Sequence, residues 1–189
     1  MTKNVAASTE VFHWTIEQYH RLAEANILTD DDKTELLAGQ IIYMSPIGKL
    51  HAAAVRRLDK LLQKTLGDAF LISTQNPISI FFNDSEPQPD LVLLKPKDDF
   101  YASNHPTPDD IYLVIEVADS TLDKDRTLKI PIYAKAGIQE CWLVNLIDQN
   151  VEVYTEPSPK GYRNMQIRQE GEWIESAITG LILVDQVLK

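Results

Sequence analysis

The sequence is poor in cysteine and in glycine. Its single cysteine, Cys141, excludes an internal disulfide within the 189 residues and a zinc site built from several thiolates. The chain has 7 glycines and contains no Gly-x-x-x-x-Gly-Lys segment, so it lacks the phosphate-binding loop of nucleotide-hydrolysing enzymes. These absences exclude a disulfide scaffold, a cysteine-rich zinc module and a P-loop enzyme.

Long apolar runs are missing as well. No segment approaches the ~18–20 consecutive apolar residues that a membrane-spanning helix needs. The first residues, MTKNVAASTE, lack the basic-then-apolar order of a secretory signal. We therefore expect a cytoplasmic protein that contacts no membrane.

Positive charge is in deficit, with 18 Lys and Arg against 28 Asp and Glu and a net charge of −10. Because phosphate backbones attract cationic surfaces, charge alone makes this chain a poor general nucleic-acid binder. The excess of carboxylates has two interpretations. It either serves solubility, which is the commoner case, or includes carboxylates that converge on a divalent cation and reverse the local field.

The length fits one domain of about 100–200 residues, and we predict a single domain over 1–189 with a loose segment at 1–12. Hydrophobic periodicity predicts a mixed α/β fold whose central sheet carries an early helix and a crossover helix. Helices are predicted at 15–26, where Thr15 and Gln18 form a capping box, at 49–66, and at 125–136 despite Pro131. Strands are predicted at 40–44, 70–73, 78–82, 91–94, 111–118, 141–145, 151–155, 162–169 and 181–184.

Two local patterns add detail to this fold. The segment Thr29-Asp30-Asp31 predicts a short acidic helical start that continues through Glu35 to a turn at Gly39. In the helix at 49–66, apolar residues recur at helical spacing and predict a buried stripe. That stripe consists of Leu50, Ala54, Leu58, Leu61, Leu62 and Leu66.

Two carboxylates lie next to predicted strand ends. Glu116 interrupts the apolar run 111–118, and a carboxylate in a strand covered on both faces must be paired, hydrogen-bonded or bound to a metal. Asp90 follows Pro89, which favours the edge of a strand and lets the carboxylate face a neighbouring strand. Each also has a simpler interpretation, as a harmless Glu near a strand terminus and as an Asp in a turn.

A lysine on the crossover helix is the third candidate. Helical spacing puts Asp125, Lys129 and Tyr133 on one face, although a surface ion pair would explain the same pattern. Two carboxylates and one ammonium are what metal-dependent phosphodiester cleavage requires. Carboxylate oxygens hold Mg²⁺, the cation activates a water, and a lysine beside it stabilises the developing negative charge.

These segments resemble the Uma2 family, whose members are restriction-endonuclease-like proteins of the PD-(D/E)XK nuclease superfamily. The resemblance is carried by EPQPDLVL at 86–93, YLVIEVADS at 112–120, Asp125, Lys129, Tyr133 and GIQECWLV at 137–144, and extends upstream to ELLAGQIIYM at 35–44 and His51. It implies a restriction endonuclease-like mixed central β-sheet flanked by helices. It also implies an Mg²⁺-dependent endonuclease, with Mn²⁺ as a possible substitute, acting on DNA.

Carried over to this sequence, the family pattern makes Asp90 and Glu116 the metal-binding carboxylates, with the backbone carbonyl of Val117 as a further ligand. The superfamily's usual lysine lies two residues beyond the acid, where this chain has Ala118. The resemblance implies that Lys129 takes over its role.

Other family positions are less informative. Glu35 and His51 match recurring positions and could line the same cleft. Glu35 could equally belong to an acidic first turn, and His51 could be a surface or half-buried imidazole. Gln75 and Gln88 resemble family positions without an assigned role, and His13, His20 and His105 show no ligand spacing.

Alternatives to a DNA endonuclease stay open at this point. One is a catalytically inactive scaffold or interaction module with the same fold, which Ala118 and the acidic balance favour. Another is a metal-dependent hydrolase acting on a different phosphoester. By analogy with nucleases that cut both strands, we expect a homodimer.

Overall fold

A computed structural model describes residues 11–29 and 31–189. The predicted loose segment therefore lies outside the described residues except for Val11 and Phe12, which are exposed. Among the described residues, no helix has both the length and the apolar character needed to cross a bilayer.

The structure is built on a mixed six-stranded sheet with strand order β3-β4-β5-β6-β7-β8. Neighbouring strands are antiparallel except β5 and β6, which are parallel. Two hairpins, β1–β2 and β9–β10, lie outside this sheet. The strands are β1 Thr34–Leu37, β2 Gln40–Tyr43, β3 Leu71–Thr74, β4 Leu91–Leu94, β5 Ile111–Ala118, β6 Glu140–Asn145, β7 Asn150–Thr155, β8 Asn164–Gln169, β9 Trp173–Ser176 and β10 Gly180–Leu183.

Helices cover the sheet and join its strands. The described helices are α1 Ile16–Glu24, α2 Lys49–Leu66, α3 Leu122–Lys124, α4 Ile130–Lys135 and α5 Val184–Leu188, with short 3₁₀ turns at Gly67–Ala69, Phe81–Asn83 and Pro108–Asp110. A π-helical segment, Asp125–Lys129, joins α3 to α4 within the β5–β6 crossover. The capping box of Thr15 and Gln18 at the start of α1 is confirmed.

The central strands are buried on both faces, as the near-continuous apolar run of β5 predicts. Because side chains alternate along a strand, Leu113 and Ile115 pack in the cluster that includes α2. Val114 and Ala118 pack in the opposite cluster with α4. The same alternation directs Glu116 to the α4 face.

The apolar stripe of α2 is confirmed except at its start. Ala54, Leu58 and Leu62 are buried, but Leu50 is 74% exposed. The buried face of α2 includes Leu58 and Val55, which are three residues apart, and four residues before Val55 the same face reaches position 51. The inward position of the first turn is therefore occupied by His51.

Two predicted elements are wrong. Thr34–Leu37 is a fully buried strand and has no helical first turn, because Leu36 exchanges backbone hydrogen bonds with Glu86. The turn predicted at Gly39 is present. Residues 78–82 do not form a strand, since Ile80 makes only an isolated bridge to Ser85 before the chain turns through Phe81–Asn83.

The helix predicted at 125–136 is interrupted just before Pro131, where a π-helical segment precedes α4. Proline has no N–H to donate and is tolerated in the first turn of a helix, and Pro131 lies in the first turn of α4. Just before it, the N–H of Ile130 donates to the carbonyl of Asp125, five residues earlier. This π-type register turns both Asp125 and Lys129 into the interior.

We predict that Leu58→Ala lowers the free energy of unfolding by about 2–5 kcal/mol, because it leaves a cavity under the sheet. Leu50→Ala is the matched control and changes it by less than about 0.5 kcal/mol, since Leu50 is exposed. Urea unfolding measures both variants, and equal losses would contradict this description of the α2 face.

Candidate active site

Asp90 lies immediately before β4, with its carboxylate directed at β5. Its Oδ2 accepts the backbone N–H of Val117 at 2.8 Å and lies 3.0 Å from His51 Nε2. Its Oδ1 accepts the side-chain amide of Gln75 at 3.2 Å. Because β4 begins only at Leu91, the Asp90 carboxylate, and not a backbone carbonyl of β4, accepts the Val117 N–H of β5 where the strand pairing ends.

Glu116 is buried in β5, with 2% of its surface exposed. Its Oε1 accepts the Tyr133 hydroxyl at 2.6 Å and lies 3.2 Å from Lys129 Nζ. Burial, helped by the charges of Asp125 and Asp90, raises the pKa of Glu116 to about 8 against the opposing effect of Lys129. Without an additional cation, this carboxyl group holds a proton at neutral pH.

Lys129 is 4% exposed and lies between two acidic residues. Its Nζ is 3.1 Å from Glu35 Oε2 and 3.2 Å from Glu116 Oε1. Burial alone would lower the pKa of Lys129, but the surrounding carboxylates outweigh it and the net shift is upward. The amine is therefore a fixed ammonium, held in the interior and turned away from solvent.

Glu35 comes from β1 and is fully buried. It accepts hydrogen bonds from Lys124 Nζ at 2.9 Å and from the backbone N–H of Gln88 at 3.3 Å. Burial would raise the pKa of Glu35, but Lys129 and Lys124 outweigh it and the pKa lies below its ordinary value. The alternative placement of Glu35 in an acidic first helical turn is wrong.

His51, at the start of α2, completes the surroundings of Asp90. The bond to Asp90 raises the pKa of His51 against its partial burial. Among the described residues, its Nδ1 is buried and has no hydrogen-bond partner. The imidazole is therefore directed into the site, and the alternative of a surface histidine is wrong.

All of these groups line one cavity of about 260 Å³. The five side chains singled out from the sequence meet there: Glu35, His51, Asp90, Glu116 and Lys129. Val117 lines the same cavity. The cavity is lined by four carboxyl groups and by three lysines, Lys33, Lys124 and Lys129, so its carboxyl groups outnumber its lysines.

Sequence reasoning missed several members of this cavity. Asp125 was noted only for its helical spacing, yet it is buried and accepts the Thr121 hydroxyl at 2.6 Å. Lys124 carried no signal, because its side chain meets Glu35 only through the fold. Gln75 and Gln88 matched family positions, and the structure gives each a partner in Asp90 and Glu35.

The fold is shared with a solved structure. It matches a crystal structure titled as "a putative nuclease belonging to DUF820" from Anabaena variabilis ATCC 29413, with a TM-score of 0.72 and 15% sequence identity. The match covers 92% of this chain and 97% of the other. Comparison with curated proteins finds no match.

The chain belongs to the Uma2 family, whose model, described as "Putative restriction endonuclease", matches residues 16–184. The resemblance seen in the sequence and the expected restriction endonuclease-like α/β fold are both confirmed. The protein is thus nuclease-like.

The protonation of Glu116 predicts a pH-dependent stability. The pKa of Glu116 is about 8 in the folded protein against an ordinary 4.5. Between these pH values the folded state holds a proton that the unfolded chain has lost, so this contribution to stability disappears as pH rises. We expect the free energy of unfolding of metal-free wild type to fall between pH ~5 and ~8.

Glu116→Gln removes this part of the decrease, because the amide does not titrate over that range. Urea unfolding in the presence of a chelator measures both profiles. Parallel profiles for wild type and variant would show that Glu116 does not carry the proton.

Proposed function

We propose that this protein is a metal-dependent endonuclease that hydrolyses phosphodiester bonds of DNA. Asp90, Glu116 and the Val117 carbonyl bind Mg²⁺, or Mn²⁺ in its place, and Lys129 assists the reaction. The observation that carries the proposal is the buried Lys129 ammonium, 3.2 Å from Glu116 in a cavity shared with Asp90. An ammonium held among carboxylates at the end of two central strands fits hydrolysis of a charged ester.

The donor set fits a hard divalent cation. Mg²⁺ prefers oxygen ligands and keeps several waters, and the cavity offers the carboxylates of Asp90, Glu116 and Asp125. Glu116 Oε1 is engaged by Tyr133 and Lys129, which leaves Oε2 for a ligand. The raised pKa of Glu116 reflects burial beside like charges, and a cation that displaces its proton relieves that repulsion.

When bound, the cation activates water as the nucleophile and offsets the negative charge that builds up on the phosphoryl oxygens. The protein's own residues provide orientation and charge. Lys129 presents a compact positive charge beside the reacting group, where it stabilises the transition state. Glu35, 3.1 Å away, keeps the ammonium from turning out of the cavity.

Lys129 substitutes for the lysine that the superfamily places two residues after the acid. In this chain that position is Ala118, which is buried against α4. The amine reaches the acidic cluster from the π-helical segment of the crossover. The substitution therefore depends on Asp125–Lys129 keeping its register.

His51 and Gln75 are positioning residues for Asp90, since each contacts one of its two carboxylate oxygens. Gln75 has a φ of 55°, a conformation that costs a non-glycine residue of order 1–3 kcal/mol. The strained backbone directs its amide at Asp90. Both contacts restrict the carboxylate to an orientation that faces β5.

The acidic balance is consistent with this activity if the cation makes the cavity attractive to phosphate. Bound divalent ions are the largest local charges in such sites and reverse the local field. Lys33 and Lys124, which line the same cavity, add positive charge where the DNA backbone would approach. Cutting both strands requires two such sites, and a homodimer stays a prediction.

Plasmid nicking tests the catalytic assignment. With Mg²⁺ or Mn²⁺, we expect Asp90→Asn and Lys129→Met to lose activity by about 100-fold or more, as when a transition-state contact is removed. Lys135→Met is the matched control, because Lys135 is exposed at the end of α4, and it should cleave like wild type. Equal activity in all variants would point to a contaminant or to a different site.

Folding must be separated from catalysis in this experiment. Removing Lys129 leaves Glu35 and Glu116 without their shared cation, which is destabilising. Lys129→Arg keeps the charge and is compared at a temperature where circular dichroism shows every variant folded. Loss of cleavage in a folded Lys129→Arg variant would support a specific role for the ammonium.

Calorimetric titration with Mn²⁺ separates the enzyme from the inactive scaffold, which Ala118 favours. We expect one binding site in wild type that is lost in Glu116→Gln, since the amide supplies no charge to the cation. Lys135→Met should bind Mn²⁺ like wild type. No binding by wild type would favour a scaffold that keeps only the nuclease fold.

A further inference from the structure

The cavity that Asp90, Glu116 and Lys129 line is called the nuclease cavity below. A second group of potential metal ligands lies outside it. His20 comes from α1, Glu86 from the segment that precedes β4, and His105 from the loop between β4 and β5. One ligand atom from each residue lies within 4.8 Å of the others. The imidazole Nε2 of His20 is 2.9 Å from both carboxylate oxygens of Glu86.

Glu86 is a buried acid that has no lysine or arginine partner among the described residues. Its exposed fraction is 5%, and the Ser79 hydroxyl donates to its Oε2 at 3.2 Å. Within residues 11–29 and 31–189, the only basic group within 4.0 Å of its carboxylate is the His20 imidazole. Glu35, by contrast, lies between two lysine ammonium groups.

The cluster is accessible from solvent. His20 and His105 are exposed, and all three residues line a cavity of about 680 Å³. Lys33, Met44 and Gln88 line both this cavity and the nuclease cavity. The two sites are thus adjacent. Backbone hydrogen bonds between Leu36 and Glu86 hold Glu86 beside β1.

We propose that His20, Glu86 and His105 bind a transition-metal ion of the zinc class. Two imidazoles and one carboxylate are a typical ligand set for Zn²⁺ or Co²⁺ and a poor one for Mg²⁺. Ligands about 2.0–2.2 Å from a tetrahedral zinc lie about 3.3–3.6 Å apart. Small side-chain rotations therefore bring the three ligand atoms to that spacing, with the fourth position open to the cavity.

Binding exchanges a proton for a metal ion. A ligating histidine must carry no proton on the coordinating nitrogen, so His20 binds the ion as the tautomer with its proton on Nδ1, and an imidazolium first releases one proton to solvent. The ion supplies the positive charge that the buried Glu86 carboxylate otherwise lacks. It also joins α1 and the 96–107 loop to the segment that carries Asp90.

No local sequence pattern predicts this site, because its ligands are separated by long stretches of chain. His20 and His105 lack the i, i+4 or short-loop spacing of recognisable metal motifs. Their rings come within 6.4 Å only through the fold.

The test is a Co²⁺ titration of tag-free full-length protein followed by visible d–d absorption. Excess Mg²⁺ is present to occupy the oxygen-rich nuclease cavity, since Mg²⁺ competes poorly for imidazole. We expect saturation at one Co²⁺ per chain. His20→Gln and His105→Gln should each weaken binding by more than about 100-fold, which exceeds the effect of losing an outer contact.

Two control variants locate the ion. His13→Gln removes another exposed histidine, and Glu116→Gln removes a carboxylate of the nuclease cavity, so both should keep the wild-type spectrum. Loss of the spectrum in Glu116→Gln, or its retention in both His20→Gln and His105→Gln, overturns the proposal. Absence of the spectrum in wild type does so as well.

Thermal unfolding with Zn²⁺, in the same excess of Mg²⁺, provides a second measurement that does not depend on the spectrum. A ligand bound only by the folded state raises Tm, so Zn²⁺ should raise the Tm of wild type and of His13→Gln. It should not raise the Tm of Glu86→Gln. If Glu86→Gln does not fold, His105→Gln in its exposed loop gives the same comparison, and equal Tm shifts in wild type and His105→Gln would refute the site.

Discussion

The buried ammonium of Lys129 is the interaction on which the rest of this structure depends. Transferring such an ion from water into protein costs several kcal/mol, and only close carboxylates offset that cost. Glu35 provides a carboxylate at 3.1 Å, and the carboxyl group of Glu116 lies at 3.2 Å. One carboxylate comes from the outer hairpin and the other from the central sheet, while the lysine comes from the crossover. Three distant parts of the chain must therefore be in place together.

The local backbone is adapted to that requirement. Pro131 cannot continue a regular hydrogen-bond ladder, and the π-type bond from Ile130 to Asp125 allows for it. The widened turn directs Asp125 and Lys129 inward together. On the other side of the cavity, His51 occupies the inward position of the first turn of α2, where an apolar residue would ordinarily pack. Both helices thus give up regular packing at the place where they meet the acidic cluster.

The sequence predicts those parts of the fold and the site that show a hydrophobic period or a recognisable motif. The two-sided burial of β5 and the odd carboxylate Glu116 follow from the apolar run at 111–118, and local patterns singled out Asp90 and Lys129, which line the same cavity. Sequence reasoning failed at Thr34–Leu37, because four buried residues in a row show no alternation. It also failed where contacts are purely tertiary, as between Lys124 and Glu35. Such pairs leave no trace in spacing.

Under the proposed function, the charge of the nuclease cavity explains how an acidic protein of net charge −10 would bind a polyanion. Without a cation, desolvation keeps a proton on Glu116, which reduces the repulsion among the clustered acids. Under the proposed function a divalent ion displaces that proton and contributes two positive charges where the proton contributes one. The added charge would reverse the field that an approaching phosphate meets. The burial that makes Glu116 costly to ionise is also what makes a bound cation effective.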